Sequence, residues 1–91
     1  MPSQFVIDCE ESVRKFLLGL DPKRYKQVAA RIFALHDNPR PHDSENVTGF
    51  PGHYRIDQGE YRIVYRIYYE QRLIVIRRAG KRNDDEVYKG L

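Results

Sequence analysis

Two arginines and a tyrosine in the second half of the chain have side chains suited to phosphodiester chemistry. Arg62 lies near the start of an alternating run, and Arg82 and Tyr88 lie in the segment GKRNDDEVY, residues 80–88. A guanidinium can donate two parallel hydrogen bonds to phosphate oxygens, and a phenol can exchange a proton with a hydroxyl group. Arg62 could equally be an ordinary sheet-surface residue, and Tyr88 a hydrophobic anchor for the tail. Residue types alone leave both interpretations open.

The charge is unevenly distributed along the chain. The formal net charge is +3, and residues 51–91 carry nine Lys/Arg against six Asp/Glu, together with six of the seven tyrosines. A basic, tyrosine-rich half fits a polyanionic partner, and nucleic acid is the leading candidate. A solvated sheet face that happens to use arginine would give the same composition.

Other reactive residue types do not form a recognisable set. His36, His42 and His53 lack metal-ligand spacing, and the single cysteine, Cys9, can offer no second thiolate ligand. The acidic run at 84–86 is more typical of the start of a helical turn than of a metal site. We find no glycine-rich phosphate loop and no Ser/His/Asp set. We therefore expect neither a metal nor a cofactor.

The length of 91 residues predicts one domain, residues 1–91. No apolar run approaches the roughly 20 residues needed to cross a membrane, and the first residues do not have the pattern of a secretion signal. The lone cysteine excludes an internal disulfide and is typical of a reducing compartment. We expect a cytoplasmic protein.

Two amphipathic helices are expected in the first half of the chain. Residues 4–8 predict a short strand, after which Asp8 is expected to cap the first helix. The pair Asp21-Pro22 predicts the start of the second helix, with proline in its first turn. Apolar residues recur with helical spacing at Val13, Phe16, Leu17 and Leu20, and again at Tyr25, Val28, Ala29, Ile32, Leu35 and His36. The short connection predicts an antiparallel helical hairpin.

The apolar period changes to two after a loop predicted at 37–53. Strands are expected at 53–57, 60–69 and 72–80, with turns at 58–59 and 70–71. The fold class is therefore α+β, in the order β-α-α-β-β-β, with the helical hairpin on one face of an antiparallel meander. Tyr61, Ile63 and Ile67 should face the helices. An uncovered opposite face would carry the arginines 55, 62 and 66.

The segment YRIDQGEYRIVYRIYYEQRLIVIRRAGKRNDDEVY, residues 54–88, resembles the C-terminal half of the RelE branch of the RelE/ParE toxin superfamily. The resemblance lies in the hairpin around QGEYRIVY, the interior apolar strand and the GKR–EVY ending. Upstream, LHDNPRP followed by a polar loop and a glycine is also similar. The EYRIVY segment alone would not separate RelE-like from ParE-like members, whereas the ending indicates the RelE side.

This resemblance implies a compact toxin that cuts messenger RNA in the ribosomal A site and is held inactive by a cognate, RelB-like antitoxin. DNA would be contacted only indirectly, through the antitoxin. Arg62 then matches the arginine that holds the scissile phosphate, and Arg82 the one that stabilises developing charge. Tyr88 matches the tyrosine taken as general base on the 2′-hydroxyl and as a stacking platform. The reaction implied is attack by that hydroxyl on the adjacent phosphate without metal.

The resemblance also assigns RNA-binding positions. Arg55 matches the first of two basic residues on the second strand of the relatives' sheet, but Asp57 stands where the second would be. Further RNA contacts are expected from three basic residues that compensate for this acid: Arg66, Arg78 and Lys81. The competing hypothesis is a non-catalytic protein, either a ParE-like gyrase poison or a degenerate toxin that mainly binds its antitoxin. The GKR–EVY ending favours the enzyme, and Asp57 favours degeneracy.

The basic half predicts RNA binding that weakens with salt. With about four or five phosphate contacts, the logarithm of the binding constant should fall against the logarithm of salt concentration with a slope of about −3 on single strands. Fluorescence anisotropy with a labelled single-stranded RNA measures this slope. A slope near zero would remove the argument from the basic half.

Overall fold

A computed structural model describes residues 4–82 and 85–91 of the chain, in which two helices pack on a five-stranded mixed sheet. Along the chain the elements are β1 (Val6–Cys9), α1 (Glu11–Leu18), α2 (Pro22–Ala34), β2 (Glu45–Asn46), β3 (His53–Gln58), β4 (Tyr61–Tyr68), β5 (Leu73–Lys81) and a 3₁₀ helix (Asp85–Tyr88). The sheet order is β1-β5-β4-β3-β2. The predicted α+β class and the antiparallel meander of β3, β4 and β5 are confirmed.

The edges of the sheet differ from expectation. β1 pairs with β5 in parallel, so the chain must cross over through both helices before the meander begins. At the other edge, Glu45 and Asn46 pair with β3 as a two-residue strand inside the segment expected to be a loop. So short a strand has no periodicity of its own, and it forms because β3 offers an open edge.

The first helix does not begin as predicted. Asp8 belongs to β1, where it is paired with Val75, so the expected cap at Asp8 is wrong. Glu10 occupies the N-cap with an extended backbone and makes no side-chain cap, because its carboxylate binds two arginines elsewhere. The second helix begins as expected, with Asp21 accepting a hydrogen bond from the backbone N–H of Arg24.

The main core lies between the helices and the sheet. Its fully buried members include Val13 from α1, Ile32 from α2, and Ile56 and Ile63 from β3 and β4. Leu35 is also buried, although it follows the end of α2 rather than lying within it. The prediction that Tyr61, Ile63 and Ile67 face the helices is confirmed, since Ile63 and Ile67 belong to this core and Tyr61 packs against it.

The opposite sheet face is partly covered, which corrects the expectation of an open arginine face. Val64 alternates away from the main core, yet it is fully buried in a second apolar cluster with Val47 and Val87. Phe50 and Tyr88 pack against that cluster. The tail and the loop after β2 therefore fold over the face that was expected to be uncovered.

Tyr65 offers a test of the main core. Its buried hydroxyl donates to the carbonyl of Pro39 at 2.7 Å, and burial is the main reason that its pKa is raised to about 12. Tyr65→Phe leaves that carbonyl without this donor, which should lower the free energy of unfolding by about 1–3 kcal/mol in urea titrations. Tyr69→Phe is the matched control, since Tyr69 is half exposed and the substitution keeps its edge contact with Phe5. Equal losses in the two variants would contradict a special role for the Tyr65 hydroxyl.

Candidate functional site

Arg62, Tyr88 and Arg82, the predicted catalytic residues, meet around one carboxylate. Arg62 stands opposite Asp57 in the β3–β4 register. Its Nε and Nη2 donate to Asp57 Oδ1 and Oδ2 at 2.9 and 3.3 Å, and its Nη1 donates to the Tyr88 hydroxyl at 3.2 Å. Arg82 Nη1 lies 3.8 Å from Asp57 Oδ2, and its side chain is more than half exposed. The structure thus brings the predicted residues together and adds Asp57 at their centre.

The electrostatics of this group centre on Asp57. Hydrogen bonding from Arg62 is the main cause that lowers the pKa of Asp57, and it outweighs partial burial, with the charges of Arg82 and Arg55 acting in the same direction. The pKa of Arg62 is raised, mainly through the same hydrogen bonds. At neutral pH the carboxylate is therefore charged, and it offsets one of the two neighbouring positive charges. The ion pair weakens only as the pH falls through the lowered pKa of Asp57.

Glycine at position 80 allows Tyr88 to approach Arg62. Gly80 pairs with Arg62 across β4 and β5, and a Cβ there would lie 2.9 Å from Val87 Cγ1. The missing side chain lets Val87 pack directly over the strand, which places the next residue, Tyr88, beside the Arg62 guanidinium. The glycine of GKR is therefore a packing requirement of the site.

Arg78 anchors the tail beyond Tyr88. Its Nε and Nη2 donate to the carbonyls of Lys89 and Gly90 at 3.1 and 2.8 Å, and its Nη1 donates to Glu10 Oε1 at 2.9 Å. Gly90 has a φ of 67°, a conformation that glycine adopts without strain. Arg78 was predicted to contact RNA, and that role stays a prediction; what the structure gives it is the holding of the C-terminal turn.

The other predicted RNA-binding residues do not form one continuous row. Arg55 pairs with Glu45 at 2.6 Å across β2 and β3. The Arg66 guanidinium lies 4.6 Å from the centre of the Tyr68 ring. Lys81 is exposed at the end of β5. Their roles stay predictions, and their positions around the sheet show that any RNA contact would be spread over several elements.

Sequence reasoning missed a buried polar network behind the site. His53 is buried; its Nδ1 faces the Pro51 carbonyl at 3.0 Å and its Nε2 faces Arg77 Nη1 at 3.1 Å. A carbonyl can only accept and a guanidinium can only donate, so in this geometry Nδ1 donates to the Pro51 carbonyl and Nε2 accepts from Arg77. Arg77 Nε also donates to Glu10 at 2.8 Å. Both ring nitrogens of His53 are occupied, so it is a structural residue here.

A one-residue bulge explains this network. Val64 pairs with Arg78 but Tyr65 pairs with Ile76, so Arg77 is the extra residue of β5. The bulge brings two consecutive arginines to the Glu10 carboxylate, whose pKa is lowered because their hydrogen bonds and charges together outweigh partial burial. Two adjacent arginines inside an apolar strand are the signal that could have indicated such a bulge.

Three wider properties of the described residues bear on function. Across residues 4–82 and 85–91, no three His, Cys, Asp or Glu side chains come together as metal ligands would. Neither α1 nor α2, the helices of that same part of the chain, has the length and apolar character that a membrane span requires. Burial, and next the charge of Asp8, raise the pKa of the Cys9 thiol, which disfavours a reactive thiolate.

Comparison with known proteins assigns the chain to a family. A profile described as "ParE toxin of type II toxin-antitoxin system, parDE" matches residues 11–86. A candidate toxin of Methanocaldococcus jannaschii named RelE1 is 28% identical over 82 residues, which cover 87% of this chain and 91% of the relative. The protein therefore belongs to the ParE toxin family of type II toxin–antitoxin systems, and it is a RelE-like toxin of the RelE/ParE superfamily.

Solved structures agree on the fold. The archaeal RelE–RelB complex of Pyrococcus horikoshii contains a chain that superposes with a TM-score of 0.77 at 23% identity, covering 87% of this chain and 96% of that one. The RelBE2 toxin–antitoxin complex of Mycobacterium tuberculosis gives a TM-score of 0.75 at 25% identity, with 89% and 94% covered. Similarity at this level establishes the architecture, while the chemistry must be argued from the site itself.

The contact between Gly80 and Val87 predicts a coupled effect on stability. Gly80→Ala forces Val87 outward, and overpacking of this kind costs about 1–3 kcal/mol in the free energy of unfolding. In a Val87→Ala background the same substitution should cost much less, because the opposing methyl group is gone. Urea unfolding of the four proteins in this cycle measures the coupling. Gly19→Ala, where the added Cβ meets only ordinary contacts of 3.5 Å, is the control. A cost for Gly80→Ala that is the same in both backgrounds would contradict the packing argument.

Proposed function

We propose that the protein is a ribosome-dependent messenger RNA endonuclease, the toxin of a type II toxin–antitoxin pair. The observation that carries this proposal is the hydrogen bond from Arg62 to the Tyr88 hydroxyl, with the exposed Arg82 nearby. These are the residue types that the RNA-cutting branch requires, brought together from β4, the end of β5 and the tail. The GKR–EVY ending of the sequence supports the same branch.

The proposed reaction uses the RNA, these side chains and water. The 2′-oxygen forms a bond to the adjacent phosphorus as the bond from phosphorus to the 5′-oxygen breaks. Tyr88 acts as the phenolate, whose oxygen accepts the 2′-hydroxyl proton, and the 5′-oxygen takes up a proton from water. The hydroxide that remains then removes the proton from the Tyr88 hydroxyl, which restores the base. The products are a 2′,3′-cyclic phosphate and a 5′-hydroxyl. Arg62 and Arg82 donate to phosphate oxygens as their charge grows, where preorganised donors act most strongly.

The dual contact of Arg62 fits a role in orienting both partners of the reaction. Asp57 holds two N–H groups of the guanidinium at 2.9 and 3.3 Å, which fixes the plane of the fork, while Nη1 is directed to Tyr88. A donor to the phenol oxygen binds more strongly when that oxygen bears negative charge. The same Asp57 reduces the net positive charge available to a phosphate.

This charge balance supports dependence on the ribosome. A site with two guanidiniums and a carboxylate between them should attract free RNA only weakly. Alignment of the messenger by a larger assembly supplies the orientation that the isolated site does not, and such positioning is worth several kcal/mol of barrier. The partners proposed are therefore the ribosome, messenger RNA in its A site and a RelB-like antitoxin, in the cytoplasm.

A second function is favoured by one specific observation. The matching family profile is named for ParE, and a ParE-like protein would poison gyrase without cutting RNA. Mapping transcript ends after brief induction, alongside a gyrase supercoiling assay, separates the two. New 5′-hydroxyl ends within translated regions support the nuclease. Inhibited supercoiling with intact transcripts would replace it with the gyrase function.

The catalytic assignment predicts unequal effects in single-turnover cleavage on programmed ribosomes. Arg62→Ala and Arg82→Ala should each slow cleavage by about 10²–10³, the value of one transition-state donor. Tyr88→Phe keeps the ring but removes the hydroxyl, so it should slow cleavage by about 10²–10⁴ while ribosome binding changes little. Asp57→Ala should leave cleavage unchanged or faster, because the removal of a negative charge offsets the lost orientation of Arg62 on ribosomes, where the messenger is already aligned.

Tyr25 is an exposed tyrosine on α2, so Tyr25→Phe is the matched control for Tyr88→Phe. This variant should cleave as the parent does. If Tyr88→Phe cleaves within about threefold of the parent while Arg82→Ala is inactive, Tyr88 is an anchor and the assignment of the base is wrong. If the parent itself cuts nothing on ribosomes, the nuclease proposal fails.

A further inference from the structure

A groove of about 430 Å³ lies beside the proposed site. It is lined by six residues from β2, the loop after it, β3 and the tail: Asn46, Val47, Thr48, Phe50, Arg55 and Tyr88. Its volume is within the range of about 300–1,000 Å³ typical of sites that hold small organic groups. The groove shares Tyr88 with the Arg62 site, so any molecule in it would lie next to the reacting groups.

The walls of the groove differ in chemistry. Phe50 and Tyr88 are half buried and pack on the apolar cluster of Val47 and Val87, which makes one wall aromatic and firmly supported. The Asn46 side chain is exposed at the rim. Aromatic rings stack on nucleobases of every kind, whereas an asparagine amide can read a base edge, most effectively that of adenine.

Arg55 gives the groove a phosphate-binding end. Its guanidinium is paired with Glu45, whose side chain is 62% exposed. An exposed ion pair of this kind contributes little to stability, so a phosphate can replace the carboxylate at small cost. Along the groove, a cation, an aromatic wall and a polar rim therefore follow one another.

A neighbouring cleft on the other side of Arg55 suits RNA less well. It measures about 160 Å³ and is lined by Asp43, Glu45 and Asp57 as well as by Arg55 and Arg62. With three carboxylates against two guanidiniums, this cleft is a less favourable place for a further nucleotide beyond the phosphate at Arg62, and it has less than half the volume of the groove. An RNA strand leaving the Arg62 site is therefore directed along the Phe50 side.

We infer that this groove is a nucleobase subsite, which holds one base of single-stranded RNA next to the cleaved phosphate. Phe50 stacks on the base, Asn46 reads its edge with a preference for adenine, and Arg55 binds the flanking phosphate. The inference rests on the proposed nuclease function for its place in a reaction, but base binding itself can be measured without cleavage.

The probe is a diadenosine monophosphate with a 2′-deoxy first nucleoside, which lacks the attacking hydroxyl and cannot be cut. Titration into the purified ¹⁵N-labelled toxin, followed by NMR, should shift the amide signals of residues 46–50. An analogue with one base removed but the same phosphate should bind about tenfold more weakly, the loss expected for one stacked base. Exchange of adenine for cytosine at that position should weaken binding less, since stacking remains.

Phe50→Leu removes the stacking ring but keeps apolar volume against Val47. It should weaken binding of the full dinucleotide about tenfold and leave binding of the abasic analogue unchanged. Phe33→Leu is the matched control, because Phe33 is 66% exposed on α2 and does not line the groove. Asn46→Ala, on an exposed rim position, should abolish the preference for adenine over cytosine and supports the inference even if Phe50→Leu folds poorly.

The inference is overturned if the dinucleotide shifts signals elsewhere, or if Phe50→Leu and Phe33→Leu bind it equally. It is also overturned if only an antitoxin peptide occupies residues 46–50. Binding as expected with no cleavage on ribosomes would sink the nuclease proposal and leave the base subsite intact. Cleavage with a sequence preference unaltered by Asn46→Ala, together with unaltered binding, would sink the subsite and leave the nuclease.

Discussion

The binding of Glu10 by two consecutive arginines is the interaction on which the arrangement of the functional face depends. It exists because a bulge in β5 directs both Arg77 and Arg78 to the same carboxylate. Through Arg77 the network reaches His53 at the start of β3, and through Arg78 it reaches the carbonyls of the C-terminal turn. The charges are paired and their donors largely used, which is the condition under which partly buried ions are tolerated. One carboxylate thus ties the start of α1 to two distant segments.

The position of the C-terminal tail depends on this network around Glu10. Arg78 binds the turn after the 3₁₀ helix, and Val87 packs over Gly80, so contacts on two sides place Tyr88 beside Arg62. Chain ends are ordinarily the least constrained parts of a domain. Here a packed valine and two carbonyl contacts constrain the segment that carries a proposed reacting group, as accurate positioning requires. The position of Tyr88 is accordingly a consequence of β5, although Tyr88 itself lies outside the sheet.

Much of this architecture could be predicted from local patterns, and the failures have a common physical origin. Period-two alternation placed β3 and β4, and Asp21-Pro22 placed the start of α2, because each signal is contained within a few residues. The two-residue β2, the burial of Val64 and the use of Glu10 in place of Asp8 all depend on segments distant in sequence.

The same dependence on distant segments holds for the candidate site. The side-chain types of Arg62 and Tyr88 indicated phosphodiester chemistry from the sequence. The pairing of Arg62 with Asp57 could be recognised only once the β3–β4 register was known. The acid at residue 84 lies outside the described residues.

Asp57 bears on both the nuclease and the gyrase hypotheses, because its contacts in the structure change how its negative charge is interpreted. As an acid in place of a basic residue, it argued for a degenerate site. In the structure it forms a forked contact with Arg62 and lies near Arg82, so it also orders the cations that a phosphate would meet. A carboxylate beside the guanidiniums lowers the affinity of the site for free RNA. It costs less once the RNA is aligned, because the same carboxylate orients the Arg62 guanidinium. Such a balance suits an enzyme whose substrate is delivered by a larger particle, because specificity then resides in the delivery and not in attraction to any passing RNA. A gyrase poison has no need for a phenol held against that guanidinium, so the proposed nuclease function rests on the Arg62–Tyr88 contact rather than on the net charge of the face.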